Sequence, residues 1–402
     1  MLSDLSAASP HFDPLSAEVR RDPYPFYRRL RDEHPVAFIE STRWHAVTRH
    51  AAVERVLRSP AEFSSTIMHS ADRALLGQDP PAHTRARGPA ARAFAWAQPR
   101  DLADYIRSTA RALVRRFVRA GGGDFVQEIA VELPVRIIAH ILSIDEERLA
   151  EFKGWSEAVV LGASRMIPPG REAEFARRIE DFDRFFGDLI SYRREQPGDD
   201  FISALLRTPE TCPLEEPDVR SLAKLMLIAG NETTTNLMSN AMAALFTTVG
   251  LQERLREEPR LCPAWIEETL RFDAPVQIVL RRTQLDVEID GVLIPQGQVV
   301  AAVLGSANRD ERSHPDPDAF RLDRPGQHLA FGAGPHYCLG GSLARLGAAI
   351  GLSILLEETC RIETPENVTE IPRILSLQLR GPQRLRVEVC AAIPSVVLRE
   401  IL

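Results

Sequence analysis

A cysteine that stands among glycines, just ahead of an apolar helical pattern, is the residue of this sequence best placed for chemistry. Cys338 lies in the run Phe331–Gly340, which contains three glycines. Apolar residues then recur at helical spacing from Leu339 to Ile354. The free N–H groups and the dipole at a helix start favour a thiolate, which could bind a metal or attack a carbonyl. Read alone, however, a cysteine before a helix is more often a small buried residue.

Three further groups of residues could take part in a site. The run Ala229–Thr235 places a glycine, a glutamate and three threonines inside an apolar stretch. Such a conflict with helix preferences is typical of functional sites, although a close helix crossing with threonines bonded to carbonyls explains it equally well. Glu268 and Arg271 share one helix face, as do His83 and Arg87, which could clamp an anion. Each pair alone is more typical of a solvated surface.

Composition excludes several classes of protein. The chain has 402 residues, of which 26% are charged and 44% hydrophobic, as in a soluble globular protein. Its net charge of −7 gives no support for nucleic-acid binding. The five cysteines are scattered, so neither a disulfide framework nor a structural zinc site is expected. We see neither a signal peptide nor a membrane span, and therefore expect a soluble cytoplasmic protein.

The spacing of apolar residues predicts a mainly α protein with small β-sheets. One long helix is predicted from about Pro217 to Val249, which would be roughly 50 Å in length. Other helical segments are predicted around Ala82–Ala95, Asp101–Ala120, Val131–Leu142, Glu147–Ala163, Arg171–Gln196 and Phe201–Leu206.

Two predicted hairpins lie far apart in the sequence. One pairs Val36–Ile39 with Trp44–Val47, and the other, Val287–Ile294, turns at an Asp-Gly pair. A further strand is predicted from Val299 to Leu304. Because a two-stranded hairpin is marginal on its own, we expect the two hairpins to share a sheet. The two ends of the chain would then fold together, which predicts a single domain over residues 1–402.

Taken in order, the motifs resemble those of the cytochrome P450 family of haem-thiolate monooxygenases, specifically its soluble bacterial members. The resemblance runs over most of the chain and includes five motifs in register. These are D-P-P-x-H-x-R-x-R at Asp79–Arg87, A-G-x-E-T-T at Ala229–Thr234, E-x-x-R at Glu268–Arg271, N-R-D at Asn308–Asp310 and F-G-x-G-x-H-x-C-x-G at Phe331–Gly340.

The resemblance implies a cytochrome P450 fold, with haem b held between a long distal helix and the helix that follows the cysteine loop. Cys338 would be the axial thiolate of the haem iron. Glu268, Arg271 and Arg324 would form a structural salt-bridge network behind the haem. The residues implied to contact the haem or its propionates are His83, Arg87, Ala229, Arg281, Phe331, Gly332, His336 and Gly340.

On the distal face, the resemblance implies that Glu232 and Thr233 deliver protons for the reduction of O₂, the co-substrate. The substrate would be a hydrophobic small molecule of the terpenoid, steroid, fatty acid or macrolide type, hydroxylated or epoxidised. By position, its pocket would be lined by Ile67, Leu225, Ile228, Ala229, Val276, Ile278, Val279, Leu375 and Ser376, most of which are aliphatic.

Electrons would have to come from another protein, because the sequence has no nucleotide-binding glycine motif between a strand and a helix. A ferredoxin with its ferredoxin reductase is the expected source, with Arg92, Arg100 and Arg345 as candidate docking residues. We expect a monomer that binds neither nucleic acid nor membrane. The alternatives are a peroxide-driven peroxygenase, a rearranging haem-thiolate catalyst or a non-catalytic haem sensor. A cysteine hydrolase would lack an Asn or Asp placed to orient His336.

Overall fold

Helices build most of the protein, as the apolar spacing predicts. The fold is taken from a computed structural model that describes residues 12–67, 75–96, 102–163, 169–207, 214–324 and 327–392. The helices are α1 (Ala17–Arg21), α2 (Tyr24–Glu33), α3 (His50–Arg58), α4 (Ala82–Trp96), α5 (Leu102–Arg119), α6 (Glu132–Ile141), α7 (Leu149–Ala163), α8 (Glu172–Glu195), α9 (Phe201–Leu206), α10 (Glu216–Gly230), α11 (Glu232–Thr247), α12 (Leu251–Glu257), α13 (Cys262–Phe272), α14 (Leu304–Ala307) and α15 (Gly341–Glu358).

The strands form three small sheets. They are β1 (Val36–Ile39), β2 (Trp44–Val47), β3 (Phe63–Ser64), β4 (Gly122–Asp124), β5 (Ile278–Thr283), β6 (Val287–Ile289), β7 (Val292–Ile294), β8 (Val299–Val303), β9 (Thr359–Glu363) and β10 (Arg386–Ala391). The five-stranded sheet has the order β1-β2-β8-β5-β3, the three-stranded sheet β4-β10-β9, and β6 pairs with β7 alone. β2 and β8 pair in parallel, with Trp44 opposite Val299.

The prediction that the two hairpins share a sheet is wrong. The strand that joins the N-terminal hairpin is β8, whereas β6 and β7 form a separate sheet. That hairpin is stabilised by packing, since Val287, Ile289 and Ile294 are buried in one apolar cluster with Val53 and Val56 of α3. The consequence drawn from the prediction still holds, because the β2–β8 pair brings the two ends of the chain together.

The long predicted helix is correct in its extent and wrong in its continuity. α10 ends at Gly230 and α11 begins at Glu232, with Asn231 between them at φ −85° and ψ −67°. The bond from the Asn231 amide to Leu227 O is long, at 3.4 Å. Thr233 Oγ1 donates to Ala229 O at 2.6 Å. The hydroxyl thus satisfies a carbonyl at the break, where a glycine already weakens the helix.

The largest apolar cluster surrounds α15, the helix that follows the cysteine loop. Leu352 and Leu355 of α15 are fully buried in it with Met238 of α11. A Cβ built at Gly351 would lie 2.7 Å from Leu133 Cδ2 and 3.0 Å from Met238 Cε, so the glycine permits a close approach of α6 and α11. α15 is thereby fixed against the helix that contains the break.

Candidate active site

The cysteine loop is a tight turn that the start of α15 continues. The Cys338 amide donates to Phe331 O at 2.9 Å, which closes the loop. Gly332 and Gly334 have φ values of +70° and +68°, a region that other residues rarely adopt. A Cβ on Gly334 would also lie 2.7 Å from Leu57 O of α3. The two glycines therefore shape the loop, as the sequence indicates.

Burial and charge act in opposite directions on the Cys338 thiol. Burial raises the pKa of Cys338 above its usual value, while the Gly340 amide and the charges of Arg87 and Arg345 lower it by less. The helix start alone therefore does not favour a thiolate, contrary to the expectation from the sequence. A bound metal cation would supply the missing charge, because coordination deprotonates a thiol.

Four cationic or donor side chains, His83, Arg87, Arg281 and His336, lie beside the cysteine loop. The rings of His83 and His336 are in contact, with centroids 4.2 Å apart. Arg87 Nη2 donates to Tyr337 O, one residue before the cysteine, at 2.5 Å. Burial, with additional positive charge nearby, lowers the pKa of His336 to about 4 and lowers that of His83. The structure thus brings together residues that are far apart in the sequence.

This basic cluster is short of anionic partners within the described residues. Arg281 is only 4% exposed, and Nη1 donates to the carbonyl of its neighbour Leu280. Burial lowers its pKa to about 10, and the charge of Asp79 opposes that shift. His83 Nε2 is buried without a hydrogen-bond partner. A buried arginine and an unpartnered imidazole nitrogen fit an anionic group that the chain itself does not provide.

The predicted network of Glu268, Arg271 and Arg324 is present behind the loop. Arg271 donates two bonds to the Glu268 carboxylate, at 2.7 and 2.8 Å, and Arg324 Nε lies 3.4 Å from it. The Glu268 and Arg271 side chains are each 3% exposed. Arg271 also donates to Asn308 O at 3.0 Å and Pro317 O at 2.8 Å. The network therefore ties α13 to the segment that leads into the cysteine loop.

The helix break is the second polar part of the site. Glu232 begins α11, and burial raises the pKa of its carboxyl group. Asn231 Nδ2 donates to Ser156 Oγ of α7 at 2.9 Å, while Asn231 Oδ1 is buried without a partner. Ala229 is exposed although Leu227 of the same helix is buried. Sequence reasoning did not identify the contact with Ser156, because nothing in the local pattern marks a partner 75 residues away.

The residues predicted to line a pocket lie on separate segments. Leu225 and Ile228 lie on α10, and both are half-buried. Val276 precedes β5 and forms a β-bridge with Leu379. Ile278 and Val279 begin β5 and point to opposite faces of the sheet. Ile278 is buried in an apolar cluster with Tyr27, so its prediction as a pocket residue is wrong. Leu375 is 64% exposed.

The turn that carries Leu375 and Ser376 therefore lies next to the segment before β5. Ser376 Oγ accepts bonds from the amides of Gln378 and Leu379. Ile67 ends a described range, and residues 68–74 after it lie outside the described residues.

The candidate docking arginines differ in their environment. Arg345 makes a bidentate bond to Glu267, at 2.5 and 3.0 Å, and its guanidinium lies 4.3 Å from the centroid of the Phe331 ring. Its charge is therefore compensated within the chain. Arg92 is exposed, and Arg100 lies outside the described residues.

Comparison with known proteins identifies the family. The model of the family described as Cytochrome P450 matches residues 171–388. The chain belongs to the cytochrome P450 family. It is 35% identical over 342 residues to the putative cytochrome P450 YjiB of Bacillus subtilis (strain 168), over 83% of this chain and 86% of that relative.

Solved cytochrome P450 structures agree with the fold. CYP109Q5 from Chondromyces apiculatus matches with a TM-score of 0.86 and 33% identity, over 95% of this chain and 98% of that one. CYP109E1 from Bacillus megaterium, solved in complex with testosterone, matches with a TM-score of 0.84 and 33% identity, over 91% and 99%. The predicted fold is confirmed, and the protein is a haem-thiolate monooxygenase that uses haem b and O₂.

The site fits haem b by its own chemistry. Cys338 would hold the iron, and the basic cluster would hold the two propionates, which supply the anionic partners that His83 and Arg281 lack. A Cβ built at Gly340 would meet no atom within 4 Å, so the loop leaves space on this side. Among the helices of the described ranges, none combines the length and apolarity needed to cross a membrane.

Proposed function

We propose that this cytochrome P450 hydroxylates an uncharged, mainly aliphatic small molecule of the steroid or terpenoid class. The observation that carries the proposal is the lining: the half-buried pocket candidates on α10 and β5 are Leu225, Ile228 and Val279, all without charge. A fatty acid would need a cation for its carboxylate, and the described pocket candidates offer none. The likeness to CYP109E1, which was solved with testosterone, supports the same class.

The chain's own residues have distinct roles in this proposal. Haem, when bound, supplies the oxygen-activating chemistry. Cys338 would hold the iron and would donate electron density to it. Thr233 Oγ1, at the helix break, would position a proton for that chemistry. Glu232 would carry a further proton in the same role, since burial raises the pKa of its carboxyl group above the usual value.

We also propose that two electrons come from a ferredoxin and its reductase, and that residues 1–402 form a single cytochrome P450 domain. Separate electron delivery is supported by the lack of a nucleotide-binding glycine motif in the sequence. A single domain is supported by the pairing of β2 with β8, which joins distant parts of the chain.

The test uses the purified haem-loaded protein and two apolar probes, the uncharged testosterone and the anionic hexadecanoate. We expect testosterone to shift the haem absorption toward the high-spin form at micromolar concentration, and hexadecanoate to bind at least tenfold more weakly. With ferredoxin, reductase and NADPH, one hydroxylated steroid should form per NADPH consumed. Tighter binding of hexadecanoate, or NADPH consumption without a hydroxylated steroid, would contradict the proposal.

A further inference from the structure

Two cysteines that are unrelated to the haem loop lie on neighbouring strands. Cys360 belongs to β9 and Cys390 to β10, and these strands pair antiparallel. In the ladder Cys390 lies opposite Arg361 and Ala391 lies opposite Thr359, with a register shift between these pairs. Cys360 is therefore the extra residue of a β-bulge. Two residues of a bulge oppose one residue on the partner strand, so Cys390 faces both Cys360 and Arg361.

The two thiols share the solvent side of the sheet. Cys360 and Cys390 are both free and exposed, whereas Ile362 and Val389, the next paired residues, are buried on the other side. Residues that face each other in an antiparallel pair have Cα atoms about 4.5–5.5 Å apart. A disulfide needs a Cα separation of about 4.4–6.8 Å. The strand pairing thus places Cys390 at such a spacing from Arg361, and Cys360 is the adjacent residue of the same bulge.

A cation lies beside one of the thiols. Arg256 of α12 donates to the carbonyls of Leu356 and Thr359, where α15 gives way to β9. Its guanidinium is close enough to the Cys360 sulfur for their charges to interact. Arg256 therefore lies at the end of β9 that carries Cys360. By contrast, Cys262 is buried, and burial raises its pKa, so that thiol should be inert.

We propose that Cys360 and Cys390 are a redox-active pair that forms a reversible disulfide with hydrogen peroxide as the oxidant. The Cys360 sulfur attacks one peroxide oxygen, the O–O bond breaks, and the first water leaves with a sulfenic acid on Cys360. The Cys390 sulfur then attacks that sulfenyl sulfur, the S–S bond forms, and the second water leaves. Two thiols lose two electrons, and one hydrogen peroxide becomes two waters. A monooxygenase that leaks electrons to O₂ makes this oxidant itself.

The disulfide would close a ring that contains part of the candidate pocket. The ring has roughly 30 residues and includes Leu375 and Ser376, the turn beside the segment before β5. Oxidation would therefore link the two ends of the 361–389 segment covalently, without a bond to the haem. Because a cross-link restricts the unfolded chain, the oxidised protein should melt about 2–5 °C higher than the reduced protein.

The test treats the haem-loaded protein with one equivalent of hydrogen peroxide or, in a parallel sample, with diamide, which oxidises thiols and spares haem. We expect the loss of two thiols per chain on titration under denaturing conditions and a mass decrease of about 2 Da. Peptide mapping without reduction should find Cys360 joined to Cys390, and dithiothreitol should restore both thiols. The variants Cys360→Ser and Cys390→Ser should show neither the mass decrease nor the rise in melting temperature.

Cys262→Ala is the matched control, since it removes a buried thiol and should still form the cross-link. The proposal is overturned if the wild-type protein keeps all its thiols under both oxidants. It is also overturned if Cys360 or Cys390 is recovered only as a sulfinic acid or in a link between two chains. Formation of the disulfide without any rise in melting temperature would contradict the stabilising role.

Discussion

The two sides of the active site satisfy their polar groups in opposite ways. Behind the cysteine loop, the buried carboxylate of Glu268 is bonded to Arg271 and Arg324, whose remaining donors reach backbone carbonyls. At the helix break, Asn231 Oδ1 is buried without a partner. Glu232 is half-buried, and desolvation alone raises the pKa of its carboxyl group.

This difference separates a structural role from a chemical one. A fully bonded charge network has one low-energy arrangement, so it holds the cysteine loop in a fixed geometry. Polar groups that lack partners can accept water, substrate or protons without first breaking an internal bond. We therefore expect substitutions behind the loop to change stability and haem retention. Substitutions at the break should change how many electrons end in product and how many in hydrogen peroxide.

The largest effect is expected for Glu268→Gln. This change leaves two buried guanidinium groups without a carboxylate, and breaking a buried ion pair in this way costs about 3–5 kcal/mol. The free energy of unfolding, measured by urea titration of the haem-loaded protein, should fall by that amount, and haem should dissociate faster.

Glu267→Gln is the matched control for this prediction. Glu267 precedes Glu268 on α13, but its side chain is 44% exposed. Its loss should lower the free energy of unfolding by about 1 kcal/mol or less. Equal losses for the two variants would remove the assigned difference between the network and an ordinary surface pair.

The second largest effect is expected from acid, which should lower the free energy of unfolding through a histidine behind the loop. Burial, followed by the positive charges of Arg271, His50, Arg324 and His328, lowers the pKa of His314 to about 4. In the unfolded chain an ordinary histidine binds its proton near pH 6.5. Between pH 6.5 and 4 the unfolded state thus binds more protons, so stability is full above this window and falls as the pH decreases through it. By pH 5 the expected loss is about 2 kcal/mol.

His314→Phe keeps a ring at this position and removes the titrating group. The free energy of unfolding of this variant should fall less between pH 7.5 and pH 5 than that of the wild-type protein, by up to about 2 kcal/mol. Parallel pH curves for the two proteins would show that His314 does not contribute to acid sensitivity.

At the helix break, Thr233→Ala should redirect electrons with little effect on stability. Without the hydroxyl that now bonds to Ala229 O, the product formed per NADPH should fall about tenfold, with hydrogen peroxide in its place. The control is Ser239→Ala, because Ser239 Oγ also donates to a helix carbonyl, that of Thr235, at 2.8 Å. If Thr233→Ala keeps its yield, the enzyme does not depend on this hydroxyl, and a peroxide-driven reaction becomes the better account.

The smallest effect is expected at the contact between α7 and the break. Ser156→Ala removes the only protein group bonded to the Asn231 side chain among the described residues, a change of about 1 kcal/mol. The product yield per NADPH should fall about two- to fivefold at that cost. The double variant Ser156→Ala with Asn231→Ala should give the same yield as either single variant. The control is Ser221→Ala, which removes a different buried serine, on α10, and should leave the yield unchanged. Additive losses in the double variant would show that the two residues act independently.

Local patterns predicted those parts of the protein that depend on local physics. Helix extents follow from apolar spacing, and Glu268 and Arg271 meet because they are three residues apart on one helix. Motif order then identified the family and brought Arg324, 56 residues from Glu268, into the same network.

The predictions that depended on distant partners were the ones that the structure changed. The break at Asn231 lies in a stretch already marked by Gly230 and the threonines, but the sequence does not reveal the bond to Ser156. Arg345 resembles a free surface cation until its bidentate bond to Glu267 is known. The partner of the N-terminal hairpin could not be chosen either, because two strand candidates of similar composition follow one another before residue 304.

The parallel pairing of β2 with β8 has a consequence for synthesis on the ribosome. The partner of Trp44 is Val299, which is made about 250 residues later. At about 5–20 residues per second, β2 waits on the order of 10–50 s before its partner emerges. During that time the N-terminal hairpin has an open edge, so this part of the nascent chain needs protection from aggregation.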